Sequence, residues 1–397
     1  MRGAGGPFTA EWSLRRAWRR LGREWRLALL LALSLRVGLG VMGVISVHLQ
    51  KITVVGGDWL GLLIRGGDPW SEFLSTWQRW DALWYQQIAE AGYRACNGTA
   101  GFEPLYPFVV RAGSLLTFGH IVWSELLVST ACFIAAMVAL YKLSLVEANH
   151  RVARLAVMLV ALNPVGFFLL APYTESMFLV LTVSSFLFAR MDRPWLAGIA
   201  GFGAALTRLF GAILILPLAY EYLRHRDAQR RRMDIGLLAS LLPAAGLMLA
   251  TAYRRMGIGE PRTVIDISAP WGNKFLPPWE QLTASWSYIM RTGNVIEELN
   301  LACVLVSVVL LVAVVVKRLP LMYTLYAAPY LLWILTHEWL LSPFQGANRY
   351  VLVLFPVTLG AAIWLGRRQW LASGWLIVST ILMTTFFQYW VHFGFVA

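Results

Sequence analysis

The sequence predicts an all-α polytopic membrane protein, and three observations carry that reading. The 397 residues are 58% hydrophobic and only 14% charged, with a mean hydropathy of +0.61, whereas roughly a quarter of a soluble domain is charged. Apolar runs of span length recur along the chain, near 27–48, 121–146, 154–171, 174–190, 233–253, 298–316, 320–340, 350–366 and 370–391. The net charge of +13 sits in short basic clusters between those runs, the pattern that sets topology rather than the stripe that binds nucleic acid. A nucleic-acid partner is excluded, and the lipid bilayer is the first partner the chain requires.

In chain order, the first 26 residues are basic and lead into 27–48, which reads as a retained signal anchor because no small-residue cleavage site follows. Residues 49–120 form a long first outer loop. Within it, 105–118 (LYPFVVRAGSLLTF) reaches only about 21 Å as a helix, short of a bilayer core of about 30 Å. With Arg111 at its centre it reads as an amphipathic interfacial helix. Residues 195–222 are too long for one straight span and are interrupted at Thr207-Arg208 and Gly211, which predicts two short helices meeting near Arg208. With both assignments, the clusters around Arg151, Arg154, Arg190, Arg193, Arg224 to Arg232, Lys317-Arg318 and Arg367-Arg368 all fall inside. The result is about eleven crossings, a cytoplasmic N-terminus, an outer C-terminus, and a second large outer loop at 254–297. The whole of 1–397 then makes one transmembrane domain with no internal repeat, which counts against many transporter folds.

Cysteine and histidine say little. Cys132 and Cys303 lie in apolar runs, Cys96 has no evident partner, and six histidines are scattered without metal-ligand spacing. Asn97-Gly98-Thr99 is a formal glycosylation sequon of a kind common by chance. Lys51, Lys142, Lys274 and Lys317 are the only lysines, a usage that points to a GC-rich bacterial genome and a plasma-membrane location.

The informative stretch is QRWDALWYQQIAEAGY, residues 78–93. Drawn as a helix, Arg79, Gln86 and Glu90 form a wet face, while Asp81 falls about 160° from Arg79 among Trp77, Trp84, Tyr85 and Ile88. A carboxylate on the apolar side is costly unless it meets a cation or a wet cavity. Two readings stand: a structural ion pair with an arginine such as Arg79 or Arg111, or a general base at the membrane surface, with Trp80, Trp84 and Tyr85 shaping its site. Arg208 and Arg349 are arginines forced to membrane depth or its edge, and guanidinium forks suit a lipid-phosphate leaving group; each could instead serve structure, Arg208 as a partner of Glu175. Glu175 at a span start is either a helix N-terminal carboxylate or a contact to sugar or to Arg208. His337-Glu338 is a cap or an acceptor contact, and Lys274 in PWGNKFLPPW is a loop lysine or part of a donor cover.

RWDALWYQQIAEAGY, PLYPFVVR, NPVGFFLLAPYTESMF, GFGAALTRLFGAILILP and NRYVLVLFPV occur in this order over about 77–360. Together they resemble the PIG-V-like mannosyltransferases, that is, GPI mannosyltransferase II and its bacterial relatives. The resemblance implies a GT-C fold and inverting transfer of mannose from a polyprenyl-phosphate-mannose donor to a glycolipid or glycan acceptor on the outer side. It also implies a catalytic acid in the first outer loop, which maps onto Asp81. Glu103, before PLYP, departs from the aromatic residue expected there and is the alternative base. Tyr106, Tyr173, Glu175 and His337 then join Trp80, Trp84 and Tyr85 as substrate contacts. No Asp-x-Asp triplet or glycine-rich nucleotide turn is present, so no cofactor is required. A divalent metal at the phosphate is compatible with the residues but not needed. A transferase for another sugar and a transporter of lipid-linked sugars are the competing readings.

Overall fold

In the computed structural model, residues 21–50, 60–64, 68–94, 98–229, 234–258, 274–339 and 342–396 are described. The basic segment 1–20, Cys96 and the sequon residue Asn97 lie outside them. The described chain is helical almost throughout, as predicted. Helices α1 (Arg23–Leu49), α2 (Pro69–Trp77), α3 (Asp81–Ala91) and α4 (Leu105–Gly113) lead to α5 (Ile121–Glu147) and α6 (His150–Ala161). They are followed by α7 (Glu175–Arg190), α8 (Pro194–Thr207), α9 (Ile215–Ala228), α10 (Leu242–Ile258), α11 (Pro278–Thr292) and α12 (Val295–Leu310). The chain closes with α13 (Leu321–Ile334), α14 (Ala347–Leu352), α15 (Phe355–Leu365) and α16 (Gln369–Val391). Among the described residues, Arg23–Leu49, Ile121–Glu147, Ile235–Gly257, Val295–Arg318 and Gln369–Val391 are long and apolar enough to cross a membrane.

The first of these shows how such a helix is read. On α1, Leu33, Val37, Val41 and Ile45 are exposed at four-residue spacing, while Ala28, Ala32, Leu39, Gly40 and Gly43 are buried. Lipid is as apolar as leucine, so the bulky stripe gains nothing by leaving it, and small residues face the protein where helices approach closely.

Two predicted runs are broken, both at proline. Run 154–171 is helical only to Ala161 and then turns at Asn163-Pro164, where the Asn163 side chain accepts a bond from Val165 N–H (3.0 Å). Run 350–366 divides between α14 and α15 at Leu354-Phe355-Pro356. Proline lacks the amide that would continue the ladder and disfavours helical geometry in the residue before it.

Opposite ends of the helices differ in character. Arg190 at the end of α7 bonds Glu147 of α5 (2.7 Å) and Glu221 of α9 (2.8 Å), Arg224 bonds Glu221 (2.6 Å), and Tyr323 bonds Glu147 (2.9 Å). These contacts hold two of the predicted inner basic clusters, those of Arg190 and Arg224, at one end. Helix α7 has 16 residues, about 24 Å of rise, and its other end is Glu175.

Residues 195–222 turn back as predicted. The chain leaves α8 at Arg208, passes through a short 3-10 stretch at Leu209–Leu214, and returns along α9 to Arg224 at the basic end. Gly211 permits the break: a Cβ there would overlap the backbone of Ala204 and Ala205, which cannot move aside as a flexible side chain would. Gly211→Ala is therefore expected to cost about 1–3 kcal/mol, the usual range for overpacking. It should lower the unfolding temperature of the detergent-solubilised protein; an unchanged midpoint would remove this role from Gly211.

Candidate active site

Between α2 and α3 the chain makes a strained turn at Trp80, whose φ of 53° is rare for a bulky residue. Its neighbours hold it in place. Arg79 is buried, donates to the Val391 carbonyl (2.5 Å) and to those of Gln78 and Ser75, and lies over the Phe393 ring (4.4 Å). The Trp80 ring packs edge-on against Phe395 (5.1 Å) and Phe393 (6.3 Å). The turn is thus clamped onto the C-terminal segment, and Asp81 opens α3. Strain that the surroundings over-determine is characteristic of functional sites.

This corrects the sequence reading of 78–93 as one helix with a wet face. The helix begins at Asp81, Arg79 is inside the protein, and Gln86 is buried, bonding Gln78 (2.7 Å) and Glu90 (2.9 Å). Charge and amide groups that look solvated on a helical wheel are satisfied here by each other and by backbone carbonyls.

A second turn, Leu170–Thr174, leads into α7. Its position is fixed by Arg36, an arginine in the middle of α1 that donates to the Leu170 carbonyl (2.7 Å) and to Thr130 Oγ1 (2.7 Å) and lies over the Trp77 ring (4.5 Å). Tyr173 Oη donates to the Arg79 carbonyl (3.0 Å), joining the two turns. Sequence reading passed over Arg36; a lone arginine in an apolar run was the available signal.

The turns meet Arg208 and Arg349 in one charge cluster. Arg349 Nη1 donates to Asp81 Oδ2 (2.8 Å), and its Nε and Nη2 lie 2.8 Å from Glu175 Oε1. Arg208 Nη1 donates to the same Glu175 oxygen (2.8 Å). The Arg349 guanidinium lies over Tyr173 (4.7 Å) and Phe168 (5.0 Å), and that of Arg208 over Tyr350 (5.1 Å). Two carboxylates and two guanidiniums balance, as a weakly hydrated interior demands. The cluster is not uniformly closed: the Asp81 side chain is 28% exposed and that of Glu175 is 0% exposed. Glu175 Oε2 is buried without a hydrogen-bond partner.

The structure therefore brings together Asp81, Tyr173, Glu175, Arg208 and Arg349. The structural partner suggested for Asp81, Arg79 or Arg111, is replaced by Arg349. Tyr85 belongs to the site wall, with its Oη 3.4 Å from Thr174 Oγ1 and its ring edge-on to Tyr106 (5.1 Å). Tyr106 stands behind Tyr85, bonded to Ser129 (2.9 Å). Trp84 stacks on Phe102 (6.0 Å). His337 stacks on Trp333 (4.0 Å) with Nδ1 2.9 Å from the Trp333 carbonyl, and is linked to the cluster through Trp333 and Tyr350 rather than directly. Its half-buried strand β2 (His337–Glu338) pairs antiparallel with the exposed strand β1 (Lys274–Phe275), so Lys274 sits opposite Glu338. Among the described residues no group of three or more metal-ligating side chains occurs.

Glu103 lies in a separate pair with Arg254 (3.2 Å) and does not enter the cluster. Burial pushes its carboxyl up to about 7, against the opposing pull of Arg254. A carboxyl whose proton is held more tightly in the folded state stabilises fully below its unfolded value, near 4.5, and loses that contribution as pH rises through about 7. The wild type is thus expected to lose stability between pH 5 and pH 8 relative to Glu103→Gln, by up to about 3 kcal/mol. Thermal unfolding of both proteins across that range checks this, and parallel profiles would contradict it.

Residues 67–226 match the family profile described as Mannosyltransferase (PIG-V). The chain is 26% identical to GPI mannosyltransferase 2 of Chaetomium globosum over 252 residues, 50% of this chain and 53% of that protein. It is 29% identical to GPI alpha-1,6-mannosyltransferase 2 of Mus musculus over 233 residues, 54% of this chain and 46% of that protein. It spans about half the length of these curated relatives. A crystal structure of the Archaeoglobus fulgidus oligosaccharyltransferase aligns with 88% of this chain and 53% of its own, at 14% identity and a TM-score of 0.39, too low for a shared fold to be read from it. Asp81, Glu103, Tyr173, Glu175 and Arg208 all fall inside the matched segment, and it is through that segment that the chain is similar to the PIG-V mannosyltransferases.

Proposed function

We propose that the chain is an inverting GT-C mannosyltransferase that moves mannose from a polyprenyl-phosphate-mannose donor to a hydroxyl of a glycolipid or glycan acceptor. The observation that carries the reading is the Asp81–Arg349–Glu175–Arg208 cluster, in which the one partly open carboxylate shares an arginine with a buried one. The donor phosphate takes the forked donors of Arg349, with Arg208 beside it, and so releases Asp81 from its ion pair. Asp81 then accepts the acceptor hydroxyl proton as that oxygen bonds to the anomeric carbon and the carbon–oxygen bond to phosphate breaks on the opposite face. Charge follows: protonating Asp81 leaves the cluster one unit more positive as the departing phosphate gains negative charge. The unpartnered Glu175 Oε2 accepts a sugar hydroxyl, and Tyr173 and Tyr85 wall the pocket, with Trp84 beyond them.

In this reading the site opens at the outer face of a bacterial plasma membrane, with about eleven crossings and the N-terminus inside. The grouping of Arg190 and Arg224 at the end remote from Glu175 supports that orientation.

The test is transfer by purified, reconstituted protein given radiolabelled polyprenyl-phosphate-mannose and a panel of glycolipid acceptors, with the anomeric configuration of the product determined. Transfer with inversion is expected. Faster transfer from another polyprenyl-phosphate sugar would replace mannose, and donor translocation without transfer would replace the enzyme by a transporter.

A further inference from the structure

At the basic end, remote from Asp81, a cavity of 520 Å³ opens between the start of α1 and the junction of α5 with α6. Arg23, Arg26, Arg151 and Arg154 line it, together with Leu27 and Leu30. Tyr141 and His150 complete the lining and bond each other through Tyr141 Oη and His150 Nδ1 (3.1 Å).

The arginines nearby at the same end behave differently. Arg190 and Arg224 are neutralised by Glu147 and Glu221 at 2.6–2.8 Å. Among the described residues, no carboxylate forms an ion pair with any of the four cavity arginines, and Arg26 Nε is buried without a hydrogen-bond partner. Four like charges converging on one concave surface repel each other, and an orphaned guanidinium N–H costs its desolvation. An anion relieves both costs. The cavity also has an apolar side: Leu30 is exposed and continues into the exposed stripe of Leu33, Val37 and Val41 along α1. A free anion has no use for that stripe, whereas an acyl chain lies along it.

We propose that this cavity binds the headgroup of an anionic glycerophospholipid, its phosphate held by the four arginines and an acyl chain lying along the outer stripe of α1. The site is separate from the sugar-transfer site. Arg26 and Gly43, the α1 residue that packs on Thr76 near the strained turn, are 17 residues apart, about 25 Å along the helix. The proposal stands whatever reaction occurs at Asp81. Basic pockets between spans at the cytoplasmic face suit such headgroups.

The experiment uses the full chain in mixed micelles carrying equal phosphatidylglycerol and phosphatidylcholine, with retained lipid read by native mass spectrometry. Wild type is expected to retain phosphatidylglycerol in preference. That preference should fall about fivefold for each of Arg26→Gln, Arg151→Gln and Arg154→Gln, the weight of one basic residue near an anionic surface. A Lys317→Gln/Arg318→Gln variant removes exposed basic charge outside the cavity and should keep the preference. Inorganic phosphate at millimolar concentration should not displace the lipid. Equal loss in the Lys317/Arg318 variant would reduce the effect to general surface charge, displacement by phosphate would make this a free-anion site, and no preference in wild type would end the proposal. Monodispersity on size exclusion keeps misfolding from counting as loss, and each single variant reads independently.

Discussion

Asp81→Asn lowers sugar transfer by about 10²–10⁴-fold, the usual contribution of a positioned general base, and leaves donor binding within about threefold of wild type. Asparagine keeps the shape and can still accept a hydrogen bond from Arg349, but it cannot take a proton. Arg349 retains Glu175 through Nε and Nη2, so the arginine stays in place to meet the phosphate. The two readouts separate the roles. If Asp81 served only to hold Arg349, losing one of its bonds would weaken donor binding and transfer together. A transporter would bind donor normally in both proteins and transfer with neither. Transfer by the variant at the wild-type rate would sink the base assignment. It would turn attention to Glu103, whose pairing with Arg254 outside the cluster makes it the weaker candidate.

How far the sequence reached differs between helices and site. Apolar runs announced the long helices, because span length and composition are local properties. The break at Arg208 was legible for the same reason, since Thr207-Arg208 and Gly211 interrupt one run. Asp81 was singled out correctly from an incorrect helix: the wheel began at Arg79, but the strained turn at Trp80 starts α3 two residues later. No periodicity reports a positive φ at tryptophan. The partnership of Asp81 with Arg349 was beyond local reading, because the two are 268 positions apart. Sequence patterns name residues that need partners; here only the fold supplies which partner. Arg36 is the opposite case. Its placement in an apolar run was visible, and its bond to the Leu170 carbonyl together with its seat over the Trp77 ring shows that such an arginine can hold two site-bearing segments without touching the cluster itself.

Glu175→Gln should be the most destabilising single change at the site, costing about 3–5 kcal/mol, the range for removing one partner of a buried ion pair. Glu175 is fully buried and one of its oxygens meets both Arg208 and Arg349. The glutamine amide preserves volume, yet the cluster becomes net positive, with Asp81 the sole remaining carboxylate and bonded to Arg349 alone. Arg208 keeps the amide oxygen as an acceptor, the faces of Tyr350 and Phe178, and Thr174 Oγ1 at 3.5 Å, none of which neutralises it. The loss should appear as a lower unfolding temperature in detergent. Pairing the change with Arg208→Gln should recover part of it, because the double variant restores neutrality. A stable Glu175→Gln protein with a raised donor KM would instead make Glu175 a sugar contact whose charge the fold does not need. A destabilised one that the second change does not rescue would mean that hydrogen bonding by Glu175, rather than its charge, holds the cluster together.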